Sequence, residues 1–372
     1  MKRVFLILCI ALISCKEKAS KLAQNSTPQQ SQYEIETIVS DVEIPWGMAF
    51  LPDDSILYTE KRGDLIHFKN GQKNNIKGLP EIYVRGQGGL LDVELHPKYK
   101  ENGWIYLSFS SNIDKKGKGG NTTILRGKLE NSSLVNQEVI YKATPNTTSG
   151  THFGSRIEFD SNGYLYFSIG DRYRRDELPQ DISKDGGKIY RLNDDGSIPI
   201  DNPFVSNEGS KKAIYSYGHR NPQGMALHPK TGKIWTHEHG PQGGDEINII
   251  EAAKNYGWPK ASYGVNYGGS SFTEHTTLPG MENPIHHWTP SIAPSGMTFV
   301  SGEIYPEWKG NLLVGSLKFQ YLNRCVVKNN KVISEERLLE GLGRVRSVKQ
   351  APDGFIYVGI ERKGIVRIIP KK

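Results

Sequence analysis

Six segments of the chain share one pattern of hydrophobic and polar positions. Each begins with an arm in which apolar and polar residues alternate, passes through a turn rich in Pro, Asp and Gly, and ends in an arm rich in Tyr, Trp, Ile and Val. Alternation with period two is typical of half-buried β-strands, and aromatic and β-branched residues favour a pleated sheet. The six copies span residues 46–60, 90–110, 154–170, 223–238, 295–316 and 346–360.

The spacing of these copies predicts the fold. A four-stranded propeller blade takes roughly 40–50 residues, and longer gaps between copies leave room for inserted loops. The chain has few helical periods and no alternation of strands with helices. These features predict an all-β protein, a six-bladed β-propeller over residues 34–372. A β-sandwich with a second domain is the alternative.

A propeller makes two further expectations specific. Residues 35–39 should complete the last blade beside residues 364–369, which ties the two ends of the chain together. The longest loops should gather on one face over the central channel, where a functional site is expected. These loops span residues 111–123, 171–186 and 239–290.

The start of the chain reads as an export signal. Two basic residues precede an apolar run at residues 4–13, which is too short to span a bilayer and suits a signal-peptide core. The sequence LISC that ends at Cys15 resembles a bacterial lipobox. We therefore predict that residues 1–14 are a lipoprotein signal peptide, that Cys15 is lipidated and that residues 15–33 are a flexible tether. An ordinary signal peptide that happens to contain Cys is the alternative.

This reading predicts an exported bacterial lipoprotein, on the periplasmic side of a membrane or at the cell surface, held by its lipid anchor alone. The formal net charge of the 372 residues is +7, but several of the lysines and arginines lie in the leader and tether. The remaining charge is too weak to predict a nucleic-acid partner. With the leader removed and Cys15 modified, Cys325 is the only remaining thiol, so no internal disulfide is expected.

The sequence lacks the GxSxG, GxxxxGK[ST] and GxGxxG motifs of hydrolases, nucleotide phosphate loops and NAD sites. His152 lies between glycines in GTHFGSR, at the start of the third copy. Imidazole titrates near neutral pH and is suited to removing a hydroxyl proton. Asp171, at the end of a strand of the same copy, is a candidate to orient this imidazole. A packed or surface histidine and a strand-end turn carboxylate are the alternatives.

Cations and amides from different copies predict an anionic ligand. The segment GHRNPQG combines an arginine with two amides, which suits a planar ligand that bears carboxylates and carbonyls. Two more arginines lie on one face of a later strand, and a lysine follows the strand LLVGS. Together they would bind a multiply anionic small molecule in the channel, whereas each alone reads as a solvated charge. The residues are Arg220, Asn221, Gln223, Lys318, Arg344 and Arg346.

The densest polar segment, residues 238–259, offers oxygen ligands. Backbone carbonyls of Gly240 and Pro241, together with the side chains of Asp245 and Glu246 and the region of Tyr256, suit Ca²⁺. A zinc site at the HEH sequence of residues 237–239 is the alternative, but no third ligand follows at a standard spacing.

Eight segments, in this order, resemble the soluble pyrroloquinoline quinone (PQQ) dependent aldose dehydrogenases, and they cover about residues 44–370. They are GQGGLLDVELHP, THFGSRIEF, GKIYRLNDDGSIPIDNPF, YSYGHRNPQGMALHP, EHGPQGGDEINII, KNYGWP, SIAPSGMTF and GRVRSV. The family fold is a six-bladed propeller, which agrees with the number of copies counted above.

The resemblance implies a reaction. His152 would take the proton of the sugar C1 hydroxyl while the C1 hydride passes to the C5 carbonyl of PQQ, which gives a lactone. A Ca²⁺ on the backbone oxygens of Gly240 and Pro241 would polarise that carbonyl. Arg220 would stabilise the developing negative charge on the quinone oxygens.

The resemblance also implies a binding site for the cofactor and a second metal. Quinone oxygens and cofactor carboxylates would be bound by Asn221, Lys318, Arg344 and Arg346, and further pocket positions would be Gln87 and Tyr267. Glu246 and Tyr256 would hold a second, structural Ca²⁺.

One departure from the family pattern affects the substrate. Glucose-specialised members carry an acidic residue just before the base, whereas this chain has Thr151. A broad range of aldoses is therefore expected, with a quinone or a cytochrome as electron acceptor. The rival functions are a non-catalytic propeller that binds carbohydrate or protein and a Ca²⁺-dependent lactonase, which would need several carboxylates around one channel ion.

Overall fold

A computed structural model of the chain describes residues 32–371. The predicted signal peptide, Cys15 and nearly all of the predicted tether lie outside the described residues. Within them the chain forms six four-stranded antiparallel sheets, so the predicted all-β, six-bladed propeller is confirmed. No helix between residues 32 and 371 is long and apolar enough to cross a membrane.

The first three blades follow one another along the chain. The strand β1 (Tyr33–Ser40) comes first and belongs to the last blade. Blade 1 contains β2 (Pro45–Phe50), β3 (Ile56–Glu60), β4 (Asp64–Lys69) and β5 (Gln72–Asn75). Blade 2 contains β6 (Leu90–Leu95), the one-turn helix α1 (Tyr99–Asn102), β7 (Trp104–Ser111), β8 (Asn121–Glu130) and β9 (Ser133–Lys142). Blade 3 contains β10 (Ile157–Phe159), β11 (Leu165–Ile169), β12 (Lys188–Leu192) and β13 (Ile214–Tyr217).

The remaining blades complete the ring. Blade 4 contains β14 (Pro222–Leu227), β15 (Ile234–Glu238), β16 (Asp245–Ile249) and β17 (His286–Trp288). Blade 5 contains β18 (Pro294–Phe299), a 3₁₀ turn (Pro306–Trp308), β19 (Leu312–Ser316), β20 (Leu322–Lys328) and β21 (Lys331–Leu338). Blade 6 contains β22 (Val345–Gln350), β23 (Ile356–Ile360), β24 (Gly364–Pro370) and β1.

The six sequence copies coincide with the first two strands of the six blades. The first strand of each blade contacts the first strand of the next, and β22 contacts β2, so these strands line the central channel. Side chains from adjacent blades then bury one another. For example, the rings of Phe167 and Tyr190 in blade 3 stack with their centroids 4.9 Å apart, in a cluster that also contains Tyr106 of blade 2. Each such side chain contributes roughly 1.5–3 kcal/mol by leaving water.

Closure of the ring follows the sequence prediction. In the pairing of β1 with β24, Ile35 lies opposite Ile368 and Val39 opposite Ile365. The strand begins at Tyr33, inside the predicted tether, because Tyr33 pairs with Pro370 and its ring centroid lies 4.3 Å from that of Trp308.

Strand alternation places two kinds of loop on one face, which we call the mouth face. They are the loops from the second to the third strand of a blade and those from the fourth strand to the next blade. The predicted loops at 111–123 and 171–186 lie there. The prediction of one long loop at 239–290 was wrong, because β16 and β17 lie within it. The residues between β16 and β17 run along the edge of blade 3 to the mouth face, where Asn255 pairs with Tyr217 at the end of β13.

Candidate active site

Two cavities open on the mouth face beside the channel axis. Cavity A, of about 540 Å³, is lined by His152, Asp171, Arg220, Pro241, Trp258 and Tyr267, with the loop at residues 173–177. Cavity B, of about 380 Å³, is lined by Trp46, Lys61, Gln87, Gln223, Arg344, Arg346 and Glu361. The two share a wall, since Arg220 Nη1 donates to the His239 carbonyl at 2.9 Å and the His239 ring contacts Gln223 Oε1 at 3.0 Å.

His152 and Asp171 form a buried pair at the edge of cavity A. The His152 Nδ1 atom lies 2.6 Å from Asp171 Oδ1, and the two residues are 6% and 1% exposed. The other Asp171 oxygen accepts a hydrogen bond of 2.8 Å from the Trp258 indole. An ionised carboxylate only accepts hydrogen bonds, so Nδ1 carries the proton and Nε2 is the basic nitrogen of this imidazole.

The surroundings keep this imidazole neutral. Burial lowers the pKa of His152, and the positive charge of Arg220 acts in the same direction, while the hydrogen bond to Asp171 opposes both. Burial would raise the pKa of Asp171, but the hydrogen bond from His152 and the charge of Arg220 hold it below its usual value. A neutral imidazole beside an ionised carboxylate is the arrangement of a general base.

The backbone around His152 is tightly constrained. His152 has a φ of 57°, in the left-handed region, and its amide donates to Gln87 Oε1 at 2.8 Å. A Cβ on Gly170 would lie 2.4 Å from the His152 carbonyl oxygen, so only glycine allows this approach of the two loops. Gly154, which flanks the histidine in the sequence, is constrained as well, because its φ is 61° and a Cβ on it would lie 2.8 Å from the Gly170 amide nitrogen.

Arg220 projects into cavity A from a rigid turn. Glu238 accepts a 2.5 Å hydrogen bond from the Arg220 amide and a 2.9 Å bond from the ring of His219. The Arg220 guanidinium lies 5.3 Å from the centroid of the Trp258 ring. Its Nε is buried and has no partner among residues 32–371. An orphaned donor on a buried cation is suited to a carbonyl or carboxylate oxygen of a ligand.

The predicted cluster of four cations is only partly present at the two cavities. Arg344 and Arg346 do line cavity B, but both pair with one carboxylate, Glu361, which sequence reasoning missed; Arg344 Nε lies 2.6 Å and Arg346 Nε 2.8 Å from it. Lys318 is exposed and lies outside the lining of both cavities. Lys61 is instead a lining residue of cavity B, where its Nζ donates to the Gly86 carbonyl at 2.8 Å.

The amide residues divide between binding surface and support. Gln87 and Gln223 line cavity B, and Tyr267, 72% exposed, lines cavity A. Asn221 is buried behind the site, where its Oδ1 accepts the Gly154 amide at 3.0 Å. Its side chain supports the loop of the candidate base and lines neither cavity.

The two metal predictions fall at neighbouring places. At the first, Pro241 lines cavity A and the Gly240 amide donates to Asp245 Oδ1 at 2.8 Å, which fixes the turn. Burial raises the pKa of Asp245 to about 6.

The second place combines two carboxylates. Glu246 faces Glu238 across the β15–β16 pair, and both line a cavity of about 10 Å³ that also contacts Tyr256. Burial and the adjacent Glu238 raise the pKa of Glu246 well above its usual value. The Tyr256 hydroxyl donates to the Ile249 carbonyl at 2.6 Å, so it is already occupied. Two carboxyl groups beside a space of this size fit a hard cation, whose charge would keep both of them ionised.

Sequence reasoning missed Glu361, Lys61, Glu238 and Trp258. Each lies at or next to a strand end or in an inserted loop. Glu238 and Trp258 fall inside segments quoted above, but nothing in those segments indicates their contacts with Arg220 and Asp171. These residues come from different blades, and only the closed propeller brings them together at the mouth face.

Known proteins of one family resemble this chain over most of its length. The model of the glucose/sorbosone dehydrogenase family matches residues 42–367. The chain belongs to this family. The resemblance read from the eight sequence segments is thereby confirmed, and the chain is a member of a family of sugar oxidoreductases.

Individual relatives agree with the family. The aldose sugar dehydrogenase YliI of Escherichia coli is 40% identical over 332 residues, which cover 87% of this chain and 89% of the relative. The quinoprotein glucose dehydrogenase B of Acinetobacter calcoaceticus is 30% identical, and the match covers 80% of this chain and 67% of that protein.

Solved structures extend the comparison. The apo form of the soluble aldose sugar dehydrogenase from E. coli superposes with a TM-score of 0.87 at 37% identity and covers 91% of this chain and 100% of that one. The PQQ-bound aldose sugar dehydrogenase of Streptomyces coelicolor gives a TM-score of 0.74 at 26% identity, with coverage of 92% and 99%.

Proposed function

We propose that the protein oxidises aldose sugars at C1 to lactones with PQQ as cofactor. The observation that carries this proposal is the His152–Asp171 pair, which presents a neutral imidazole to cavity A beside the Arg220 guanidinium. The relatives named above support the sugar and the cofactor.

The residues of the mouth face fit the cofactor. PQQ is a flat quinone with three carboxylates, and cavity B offers the cations Lys61, Arg344 and Arg346. The orphaned Nε of Arg220 suits a quinone oxygen at the wall between the cavities. Bound there, PQQ would supply the acceptor for the hydride that leaves C1.

The protein's own groups then handle the proton and the charge. His152 Nε2 accepts the C1 hydroxyl proton as the hydride departs, so the C–H and O–H bonds are both broken and a C=O bond forms. Asp171 holds the imidazole in the required tautomer and stabilises the imidazolium. Arg220 offers a positive charge that needs no reorganisation as negative charge develops. The indole of Trp258 fixes Asp171 from behind.

Calcium would occupy two places. The carbonyls of Gly240 and Pro241, in a turn fixed by Asp245, would hold an ion that acts as a Lewis acid. Glu246, with Glu238 beside it, would hold a second ion of structural role, with the backbone near Tyr256.

We further propose that the protein is an exported lipoprotein anchored through Cys15. Reduced cofactor would then pass its electrons to a quinone or a cytochrome at the membrane. Metabolic labelling with a radioactive fatty acid tests the anchor, because the label should be absent from a Cys15→Ser variant.

The reaction is tested by loading the purified chain with PQQ and Ca²⁺ and following the bleaching of a dye acceptor with several aldoses. His152→Ala should keep cofactor binding but lose turnover by about 10²–10⁴-fold. Tight sugar binding without turnover in the loaded wild type would favour the non-catalytic propeller instead. Undiminished turnover in His152→Ala would remove the base from the mechanism.

A further inference from the structure

Arg172, next to Asp171 in the chain, is a buried cation without an ion-pair partner in the part of the chain that the structure describes. Its side chain is 0% exposed, and no carboxylate of residues 32–371 lies within ion-pair distance of it. Burying a charge without a counter-ion is costly unless its hydrogen bonds compensate for the lost water. The reaction proposed above gives Arg172 no role.

The guanidinium instead ties together the loop that leads to His152. Its Nη1 donates to the Thr151 carbonyl, and its Nη2 donates to the Ser149 carbonyl at 2.6 Å and to Thr147 Oγ1 at 3.0 Å. Its planar face lies 3.4 Å from the centroid of the Phe153 ring. The fork thus binds the residues on both sides of His152.

The backbone of Arg172 also contacts the loop that carries His152. The Arg172 amide lies 3.4 Å from the His152 carbonyl, to which it donates, while the preceding residue, Asp171, receives the imidazole Nδ1. One dipeptide therefore fixes the imidazole through Asp171 and the loop of that imidazole through Arg172. Lysine could not reproduce this, because an ammonium lacks the planar fork.

We propose that Arg172 is a positioning residue for the base His152, which it holds in its left-handed backbone conformation by clamping residues 147–151 and Phe153. This inference rests on the proposed function for its catalytic consequence, but the clamp itself is a property of the chain. It also predicts an electrostatic effect. The positive charge of Arg172 lowers the pKa of His152, alongside burial and the charge of Arg220, and against the contribution of Asp171.

A matched control is available in the same blade. Arg191 of β12 is 6% exposed and equally clamped; its Nε donates to Asn202 at 2.7 Å, and its guanidinium lies 4.7 Å from the centroid of the Tyr164 ring. It lies near the face opposite the mouth. Unlike Arg172, it also pairs with an acid, since its Nη2 lies 2.6 Å from Asp201 Oδ1. Arg172→Met and Arg191→Met each remove a buried arginine that is hydrogen-bonded and lies over an aromatic ring, and only the first should affect the base.

The first measurement is hydrogen exchange on the chain without cofactor. Amides of residues 147–153 should exchange faster in Arg172→Met than in the wild type or Arg191→Met. The second is steady-state turnover after loading. Arg172→Met should lower kcat about a hundredfold, as expected for a misplaced base, with the sugar KM changed by less than about threefold.

The pH dependence of kcat/KM separates the effect of the Arg172 charge from the effect of its hydrogen bonds to residues 147–151. The acid limb of kcat/KM should move to higher pH in Arg172→Met, since a cation near His152 is lost. In Arg172→Lys the limb should stay in place, while kcat recovers only in part. The other charged and titratable groups that face this imidazole are unchanged in both variants; they are Asp171, Arg220, Tyr173 and His239.

Several outcomes would overturn the proposal. The first is a wild-type kcat together with unchanged hydrogen exchange in Arg172→Met, and the second is an equal loss of kcat in Arg191→Met. The third is full activity in Arg172→Lys. This third measurement decides the question if Arg172→Met does not fold. An inactive loaded wild type would refute the proposed function alone, since the exchange experiment still tests the clamp.

Discussion

His152 and Asp171 act as one unit, because each sets the protonation of the other. The sequence indicated both residues, one by its glycine-bounded segment and one by its place at a strand end. It did not indicate Trp258, which donates to Asp171 from an insertion far along the chain. A contact of this kind depends on how the ring brings blades 3 and 4 together.

The pH dependence of turnover follows from this unit. The pKa of His152 lies below its usual 6.5, so the neutral, active form persists as pH falls below that value. We expect kcat/KM to hold down to below pH 6.5 and to decline only under more acidic conditions. The measurement is kcat/KM against pH with a dye acceptor whose response does not change with pH. A decline centred above pH 7 would contradict the assigned environment.

Asp171→Asn tests the partner separately. The asparagine amide would donate to Nδ1, which would move the imidazole proton to Nε2 and remove its basic position. Turnover should fall by about 10²–10⁴-fold. Because Asp171 raises the pKa of His152, the residual acid limb should shift to lower pH, opposite to the shift expected for Arg172→Met. A shift to higher pH would show that another group controls the limb.

Glu361 predicts a trade between stability and cofactor affinity. It compensates Arg344 and Arg346 in the free protein, and these arginines lower its pKa against the effect of burial. Glu361→Gln should lower the free energy of unfolding by about 1–3 kcal/mol, because two cations lose their partner. The same change should tighten PQQ binding and make it more sensitive to salt, since those cations become available.

Titration of PQQ by fluorescence at low and high salt, together with urea unfolding, measures both effects. Glu43→Gln is the control, because Glu43 pairs with the exposed Arg362 and neither residue lines a cavity. Weaker PQQ binding in Glu361→Gln would show that Glu361 orients the arginines more than it competes with the ligand.

The strands divide into those that the sequence revealed and those that it did not. The first two strands of each blade are covered by the two adjacent blades, and for this reason their apolar pattern repeats six times. Outer strands lie on the rim and lose this pattern; all four residues of β5 are exposed, and β17 has only three residues. In β16 the polar residues Asp245 and Glu246 were read as metal ligands alone, although they also begin a strand.

The β15–β16 pair predicts a stabilising effect of calcium. Glu238 and Glu246 face each other in this pair and repel when both are ionised. Ca²⁺ should therefore raise the melting temperature of the chain without PQQ, by mass action on the folded state. Glu246→Gln should remove most of that increase.

Differential scanning calorimetry with added Ca²⁺, and with Mg²⁺ for comparison, measures the effect. Mg²⁺ should do less, because it is smaller and releases its water reluctantly. Glu282→Gln is the control, since Glu282 pairs with Lys254 on the surface. An equal calcium response in Glu246→Gln would place the ion elsewhere.

The number of blades was predictable because a propeller repeats one local pattern, and closure was predictable because the last blade lacked a strand that the start of the chain could supply. The site was predictable only in part. Residues inside motifs, such as His152 and Arg220, were found, whereas Glu361 and Lys61 were not. They meet in cavity B because blade 6 packs against blade 1 in the closed ring. No local sequence pattern indicates which side chains of these two blades lie close together.

The path of the chain through the ring predicts how an anchored molecule presents its site. The strand β1 runs from Tyr33 to Ser40, and the residues after it lead to β2 on the mouth face. Tyr33 therefore lies at the opposite face, and the predicted tether of residues 15–33 joins the propeller there. With Cys15 lipidated, the mouth face would be free of the membrane surface, open to sugar and to water-soluble electron acceptors.

Comparison of the lipidated protein on vesicles with a Cys15→Ser variant in solution tests this arrangement. Turnover with a water-soluble dye should agree within about twofold, because diffusion to an open site is not limiting at typical turnover rates. The variant should appear in the soluble fraction, while the wild type sediments with the vesicles. A large loss of dye turnover on vesicles, recovered in Cys15→Ser, would show instead that the anchor holds the mouth face against the lipid.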